Sequence, residues 1–210
     1  MPLRLPRFYA IIDLSVRPDL SFSQLTQMLI EEGVTLIQLR AKQSSSRQLL
    51  TDTHVLLTLA QPAGISVIVN DRADVAWLAG AAGVHLGQQD LPVEQARALL
   101  GTDRLIGLST HTQRQVEQAE GNSADYLAFG PIFPTRTKAA AEPVVGLERL
   151  REVRALTRKP LVAIGGITPA NAALVLEAGA DAVAVISAWL EAEDIPQRLK
   201  EFRQALGRLD

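Results

Sequence analysis

The chain has 210 residues, 47% of them hydrophobic and 21% charged, with 21 Lys and Arg against 23 Asp and Glu for a net charge of −2. This is the balance of an ordinary soluble protein, and a pI of about 6.0 argues against a broad basic surface for nucleic acid or anionic lipid, so any anion site must be built locally. With no cysteine, disulfides, thiolate metal sites and a Cys nucleophile are excluded, and the cytoplasm is the default compartment.

Along the chain, short runs rich in β-branched residues alternate with longer helical patterns. Phe8–Asp13 reads as a strand and Phe22–Glu32 as a helix, followed by the pairs Thr35–Arg40 and Arg47–Ala60, Ser66–Asn70 and Ala73–Ala81, and Gly83–His85 and Val93–Leu100. The second half continues with Leu105–Ser109 and Gln113–Ala119, Tyr126–Gly130 and Leu147–Leu156, Leu161–Ile164 and Pro169–Ala178, and Ala182–Ile186 and Ile195–Leu206. Pro92 and Pro169 stand where a helix opens and a missing N–H costs nothing. Gly33, Gly101, Gly121 and Gly179 stand where left-handed caps are expected.

Near-continuous apolar strands such as Val67-Ile68-Val69 imply burial on both faces, as in a parallel sheet covered by helices. Eight βα units without a linker predict an α/β fold, a single (β/α)8 TIM barrel occupying 1–210 as one catalytic domain. No G-x-G-x-x-G follows the first strand, which disfavours a doubly wound sheet. The apolar stretches are about half the roughly 20 residues a membrane span needs, and the N-terminal segment is too short for a secretory leader. Neither a membrane nor a nucleic acid is expected as a partner.

Polar residues recur where strands leave the barrel at its C-terminal face, the face that carries barrel active sites. Gln38, Arg40 and Lys42 alternate at the second exit, and two cations there call for an anion such as a diphosphate. The competing reading is a solvated strand end with Arg40 in a structural salt bridge. Asp71 and Asp90 come from neighbouring exits; beside a polyanion they are repulsive unless a divalent cation bridges them, and Mg2+ suits oxygen ligands. Both also fit a helix-capping role.

The connection from Gly130 to Gly146 holds three prolines and the run Thr135-Arg136-Thr137-Lys138, which reads as a lid over phosphates or as a variable surface loop. Gly165-Gly166-Ile167 and Ile186-Ser187 follow strands seven and eight, where barrels often build a monophosphate cup from backbone N–H groups. Two phosphate sites and a metal imply two phosphorylated substrates. Of the three histidines, His54 falls on an outer helix, His85 reads equally as structural or catalytic, and His111 can face a ligand.

These motifs, in this order from Phe8 to Ser187, resemble the thiamine-phosphate synthase family. The resemblance is carried by Gln38-Leu39-Arg40-Ala41-Lys42, Val69-Asn70-Asp71-Arg72, Gly83-Val84-His85-Leu86-Gly87-Gln88-Gln89-Asp90, Gly107-Leu108-Ser109-Thr110-His111, Gly130-Pro131-Ile132-Phe133-Pro134-Thr135, Thr137-Lys138, Ala163-Ile164-Gly165-Gly166-Ile167 and Val185-Ile186-Ser187. It implies the same barrel, Mg2+ as cofactor, and coupling of hydroxymethylpyrimidine diphosphate to hydroxyethylthiazole phosphate, giving thiamine phosphate and pyrophosphate.

Carried over by position, the resemblance assigns Gln38, Arg40, Lys42, Asn70, Ser109 and Lys138 to the pyrimidine diphosphate. It assigns Thr135, Thr137, Gly166, Ile186 and Ser187 to the thiazole phosphate, and Asp71 and Asp90 to the metal. The thiazole nitrogen is then the nucleophile, so no protein base is required. Catalysis falls to cations that stabilise the departing diphosphate, Arg40, Lys42 and Lys138, with Ser109 beside them, in a site closed to water. Ala41 departs from a position often polar in relatives, and Arg136 sits between the lid threonines; neither removes a ligand.

Competing readings are a thiazole tautomerase of the same superfamily, with His111 as proton-transfer residue, and a non-catalytic regulator that binds thiamine-pathway ligands. The diphosphate and metal residues favour the synthase over both. The helix faces leave self-association into a homo-oligomer open.

Overall fold

A computed structural model of the chain describes residues 3–13, 15–135 and 143–210. The strands are β1 (Phe8–Ile12), β2 (Leu36–Leu39), β3 (Ser66–Asn70), β4 (Gly83–Leu86), β5 (Leu105–Thr110), β6 (Tyr126–Phe129), β7 (Leu161–Ile164) and β8 (Ala182–Val185). Each pairs in parallel with the next, and β8 returns to β1, with Tyr9 opposite Ala184. The expected (β/α)8 barrel is therefore closed.

The helices are α1 (Phe22–Glu31), α2 (Ser46–Ala60), α3 (Ala73–Ala79), α4 (Val93–Leu100), α5 (Gln113–Glu120), α6 (Gly146–Leu156), α7 (Pro169–Glu177), α8 (Ser187–Leu190) and α9 (Ile195–Leu206). Short α8 was not expected, because a four-residue turn carries no helical period and Ser187 reads equally well as a loop. Local chemistry sets several starts: Ser21 caps α1 and Thr112 caps α5, each reciprocated by a glutamine three residues on. Gly121 ends α5 at φ −88°, so the left-handed cap expected there is absent; Asn122 N–H closes a tighter turn onto Ala119 instead. Gly33, Gly101 and Gly179 do take positive φ.

Alternation along each strand divides the core into two layers. One set, including Ile37, Leu39, Val67, Val69, Val84 and Phe129, packs outward against the helices. The inward set is Tyr9, Ile11, Leu36, Ile68, Tyr126, Ala128, Val162, Ala182 and Ala184. Its bulk is uneven: the two tyrosines fill the middle of the barrel, while the alanines of β6 and β8 leave room above them at the C-terminal end. Among the described residues no helix is long and apolar enough to cross a membrane.

Candidate active site

The space left above the tyrosines is a cavity of about 920 Å³. Gln38, Arg40, Lys42, Asn70, Asp71, Asp90, Ser109, Thr135, Gly166, Ile186 and Ser187 all line it. Every expected site residue that the structure describes thus meets in one chamber, although they come from the exits of seven strands. Thr137 and Lys138, with Arg136 just before them, lie outside the described residues. The base of that connection is described: Val145 N–H donates to Pro131 O at 2.9 Å, so its two ends meet beside the cavity.

Arg40 stands just past β2, and its N–H still donates to Ile12 O at 2.9 Å, continuing the ladder by one bond. Its guanidinium pairs with the buried carboxylate of Asp13, which also accepts from the Ser15 hydroxyl at 2.6 Å and the Ser15 N–H at 3.0 Å. The structural salt bridge and the ligand-facing position are therefore both realised. Asp13 takes one edge of the fork, and Arg40 still faces the chamber.

Lys42 lies in the following turn, half-exposed, with Nζ 3.1 Å from Asp71 Oδ2. Asp71 is the single non-glycine residue at positive φ, +65°, among the described residues. Its N–H donates to His85 O at 2.8 Å, which holds the segment against β4. Asp90 Oδ2 accepts from Gly87 N–H at 2.6 Å. Neither carboxylate serves the capping role the sequence allowed: α3 and α4 begin without a side-chain cap, at Arg72 and Pro92.

Burial pushes the Asp90 carboxyl above its ordinary range, and the neighbouring charge of Asp71 pushes the same way, while Gly87 N–H and Lys42 oppose. Two carboxylates held this close, with only oxygen donors, fit a hard divalent cation. Among the described residues no group of three or more His, Cys, Asp or Glu could hold a metal, so further ligands would come from other oxygen donors, such as phosphate or water.

On the opposite wall, Gly165 and Gly166 take φ +101° and +63°. A Cβ on Gly166 would lie 2.5 Å from Pro134 O and 2.7 Å from Phe133 Cβ, so only glycine lets the two loops touch here. Phe133 N–H donates to Gly165 O at 3.0 Å across the same contact. Ile186 and Ser187 enter this side of the chamber from the end of β8 and the start of α8.

His54 is exposed on α2, as expected. His111 also lines the chamber, with Nδ1 2.7 Å from Gly130 O; a carbonyl only accepts, so this nitrogen carries the proton. His85 is buried, bonded to the Ser109 hydroxyl at 2.9 Å through Nε2 and to the Tyr126 hydroxyl at 3.1 Å through Nδ1. Sequence reasoning passed over Tyr9 and Tyr126. A signal existed, since the chain has just two tyrosines and each sits at an inward position of an otherwise apolar strand.

A closed parallel barrel with a charged chamber at its C-terminal mouth, cationic near the second strand exit and glycine-lined near the seventh, defines a barrel enzyme built to handle phosphorylated small molecules. The family model for thiamine monophosphate synthase matches residues 8–189. A thiamine-phosphate synthase of Koribacter versatilis is 49% identical, covering 97% of each chain, and one of Chloroflexus aurantiacus is 43% identical, covering 94% of this chain and 91% of the other. A solved thiamine phosphate pyrophosphorylase of Pyrococcus furiosus superposes with a TM-score of 0.86 at 35% identity, covering 96% of this chain and 95% of that one. The chain belongs to the thiamine monophosphate synthase family.

Proposed function

We propose that the chamber couples hydroxymethylpyrimidine diphosphate to hydroxyethylthiazole phosphate, releasing pyrophosphate and forming thiamine phosphate. The protein is in this reading a thiamine-phosphate synthase, a transferase, as its relatives are named. The observation that carries it is the gathering of Arg40, Lys42, Asp71 and Asp90 on one wall, opposite the glycine-lined loops. A diphosphate needs the first wall and a monophosphate is satisfied by the second.

Gln38, Asn70 and Ser109 bind and orient the pyrimidine half, while Arg40, Lys42 and Lys138 stabilise charge on the departing diphosphate. Thr135, Thr137, Gly166, Ile186 and Ser187 hold the thiazole phosphate. The thiazole nitrogen supplies the electron pair for the new C–N bond and the diphosphate leaves with the pair of the broken C–O bond, so no protein base takes part. Asp71 and Asp90 hold Mg2+, which when bound neutralises diphosphate charge. Lys42, paired with Asp71 here, is well placed to turn toward a phosphate oxygen. We place the reaction in the cytoplasm, on small molecules alone, with self-association left to the helix faces.

The test is pyrophosphate release from purified protein given both substrates, with and without Mg2+, and given each substrate alone. Release that requires both substrates and the metal, with thiamine phosphate formed in equal amount, is expected. Isomerisation or binding of the thiazole phosphate with no release would overturn the assignment.

A further inference from the structure

Beneath the chamber, five side chains from five strands form one continuous hydrogen-bonded chain. Gln38 Nε2 of β2 donates to Tyr9 Oη of β1 at 2.9 Å, and Tyr9 Oη lies 3.0 Å from Tyr126 Oη of β6. Tyr126 Oη lies 3.1 Å from Nδ1 of His85 on β4, whose Nε2 lies 2.9 Å from Oγ of Ser109 on β5. Gln38 and Ser109 line the chamber at either end, Tyr9 and His85 lie against its floor, and Tyr126 is fully buried below it.

The chain exists because β5 offers no side chain at its midpoint. Gly107 is opposite His85 on one side and opposite Tyr126 on the other. A Cβ there would come within 2.1 Å of Tyr126 Cζ and 2.4 Å of His85 Nδ1. The missing methyl lets two side chains from strands that are not neighbours meet over the backbone between them.

Its polarity follows from counting protons. Burial holds both phenols far above their ordinary pKa, so each keeps its one proton. Tyr9 accepts from Gln38 and must spend its proton on Tyr126. Tyr126 must then spend its own on His85 Nδ1. The imidazole proton is left on Nε2, where it donates to Ser109 Oγ, and the serine proton is left for a ligand.

We propose that Tyr9, Tyr126 and His85 are positioning residues, forming a one-way relay that links Gln38 to Ser109 across the barrel and presents the Ser109 hydroxyl to the chamber as a donor. The relay thereby selects an acceptor atom at that point of the ligand, such as an unprotonated ring nitrogen, over an amino group. Its consequence for catalysis rests on the assignment of Gln38 and Ser109 to the pyrimidine substrate; its polarity does not.

The polarity is testable without substrate, by 15N NMR of histidine-labelled full-length protein. In the wild type the His85 proton is expected on Nε2. Gln38→Glu places an acceptor-only carboxylate at the head of the chain, which reverses each bond in turn and moves the proton to Nδ1, although residue 38 does not touch His85. Adding Tyr9→Phe to Gln38→Glu cuts the chain and returns the proton to Nε2. A wild-type proton on Nδ1, or a Gln38→Glu spectrum unchanged at His85, overturns the relay.

In the coupling assay, Tyr126→Phe is expected to lower kcat/KM for the pyrimidine diphosphate about tenfold, with KM for the thiazole phosphate within about twofold of wild type. Unchanged kinetics would remove the link to substrate. If Tyr126→Phe does not fold, the NMR comparison of wild type with Gln38→Glu decides the relay by itself. Absence of coupling by a wild-type protein with the expected NMR pattern would count against the assigned reaction and leave the relay standing.

Discussion

Asp13 and Arg40 form an ion pair at the rim of the chamber, the acid side chain 3% exposed and the base 15%. They leave the barrel from adjacent strands, and the pair turns a flexible cation into a fixed one. Removing the base would strand a buried carboxylate that retains only its Ser15 partners.

Arg40→Ala is therefore expected to cost about 3 kcal/mol of stability as well as most of the turnover. Asp13→Asn keeps the shape and frees the arginine. It should raise KM for the pyrimidine diphosphate about tenfold while costing less stability. Urea denaturation and steady-state kinetics on the two variants separate the outcomes, and equal stability losses would contradict the anchoring role.

Asp90 Oδ2 accepts from Gly87 N–H, and the acid faces Asp71. Asp90→Asn removes one of two negative charges offered to a cation and should raise the Mg2+ concentration for half-maximal activity by about tenfold or more. Chelation should abolish turnover in both proteins, and Mg2+ should restore it. A superimposable Mg2+ titration would remove Asp90 from the metal site.

Gly166 combines positive φ with a neighbour 2.5 Å from where a Cβ would stand. Gly166→Ala is expected to cost about 1–3 kcal/mol and to push the loops apart. KM for the thiazole phosphate should rise about tenfold while KM for the pyrimidine diphosphate stays near wild type. Equal effects on both constants would argue against separate phosphate walls.

Away from the chamber, the Thr157 hydroxyl donates to Glu120, and Arg158 N–H donates to the same carboxylate at 3.2 Å. The threonine bond is the main cause that holds the Glu120 carboxyl below its ordinary range, against the opposing effect of burial. A depressed acid stabilises the fold above its unfolded pKa of about 4.3 and loses that contribution as pH falls through the lower folded value. The Tm difference between wild type and Thr157→Val should thus be largest near neutral pH and shrink below about pH 4. A difference independent of pH would show that the hydroxyl contributes through packing alone.

The barrel was legible in the sequence because strand and helix periods are local. A run such as Ser66–Asn70 declares its period within five residues, and the structure places that strand at the same bounds. The exits were legible for the same reason: Gln38, Asp71, Ser109 and Gly166 end recognisable strands, and a closed parallel barrel brings all such ends to one face.

What no local pattern contains is which residues meet across the barrel. Tyr9 and Tyr126 are 117 positions apart and share a hydrogen bond only because barrel closure brings the inward positions of β1 and β6 together. Asp71 and Asp90 read both as converging carboxylates and as helix caps, and it is the folded backbone, left-handed at Asp71, that sets its carboxylate beside Lys42 rather than on a helix end. Element type follows from short-range sterics and burial period. Partnership between polar side chains follows from barrel closure and from the volume each neighbour leaves, and those exist only once the chain has folded.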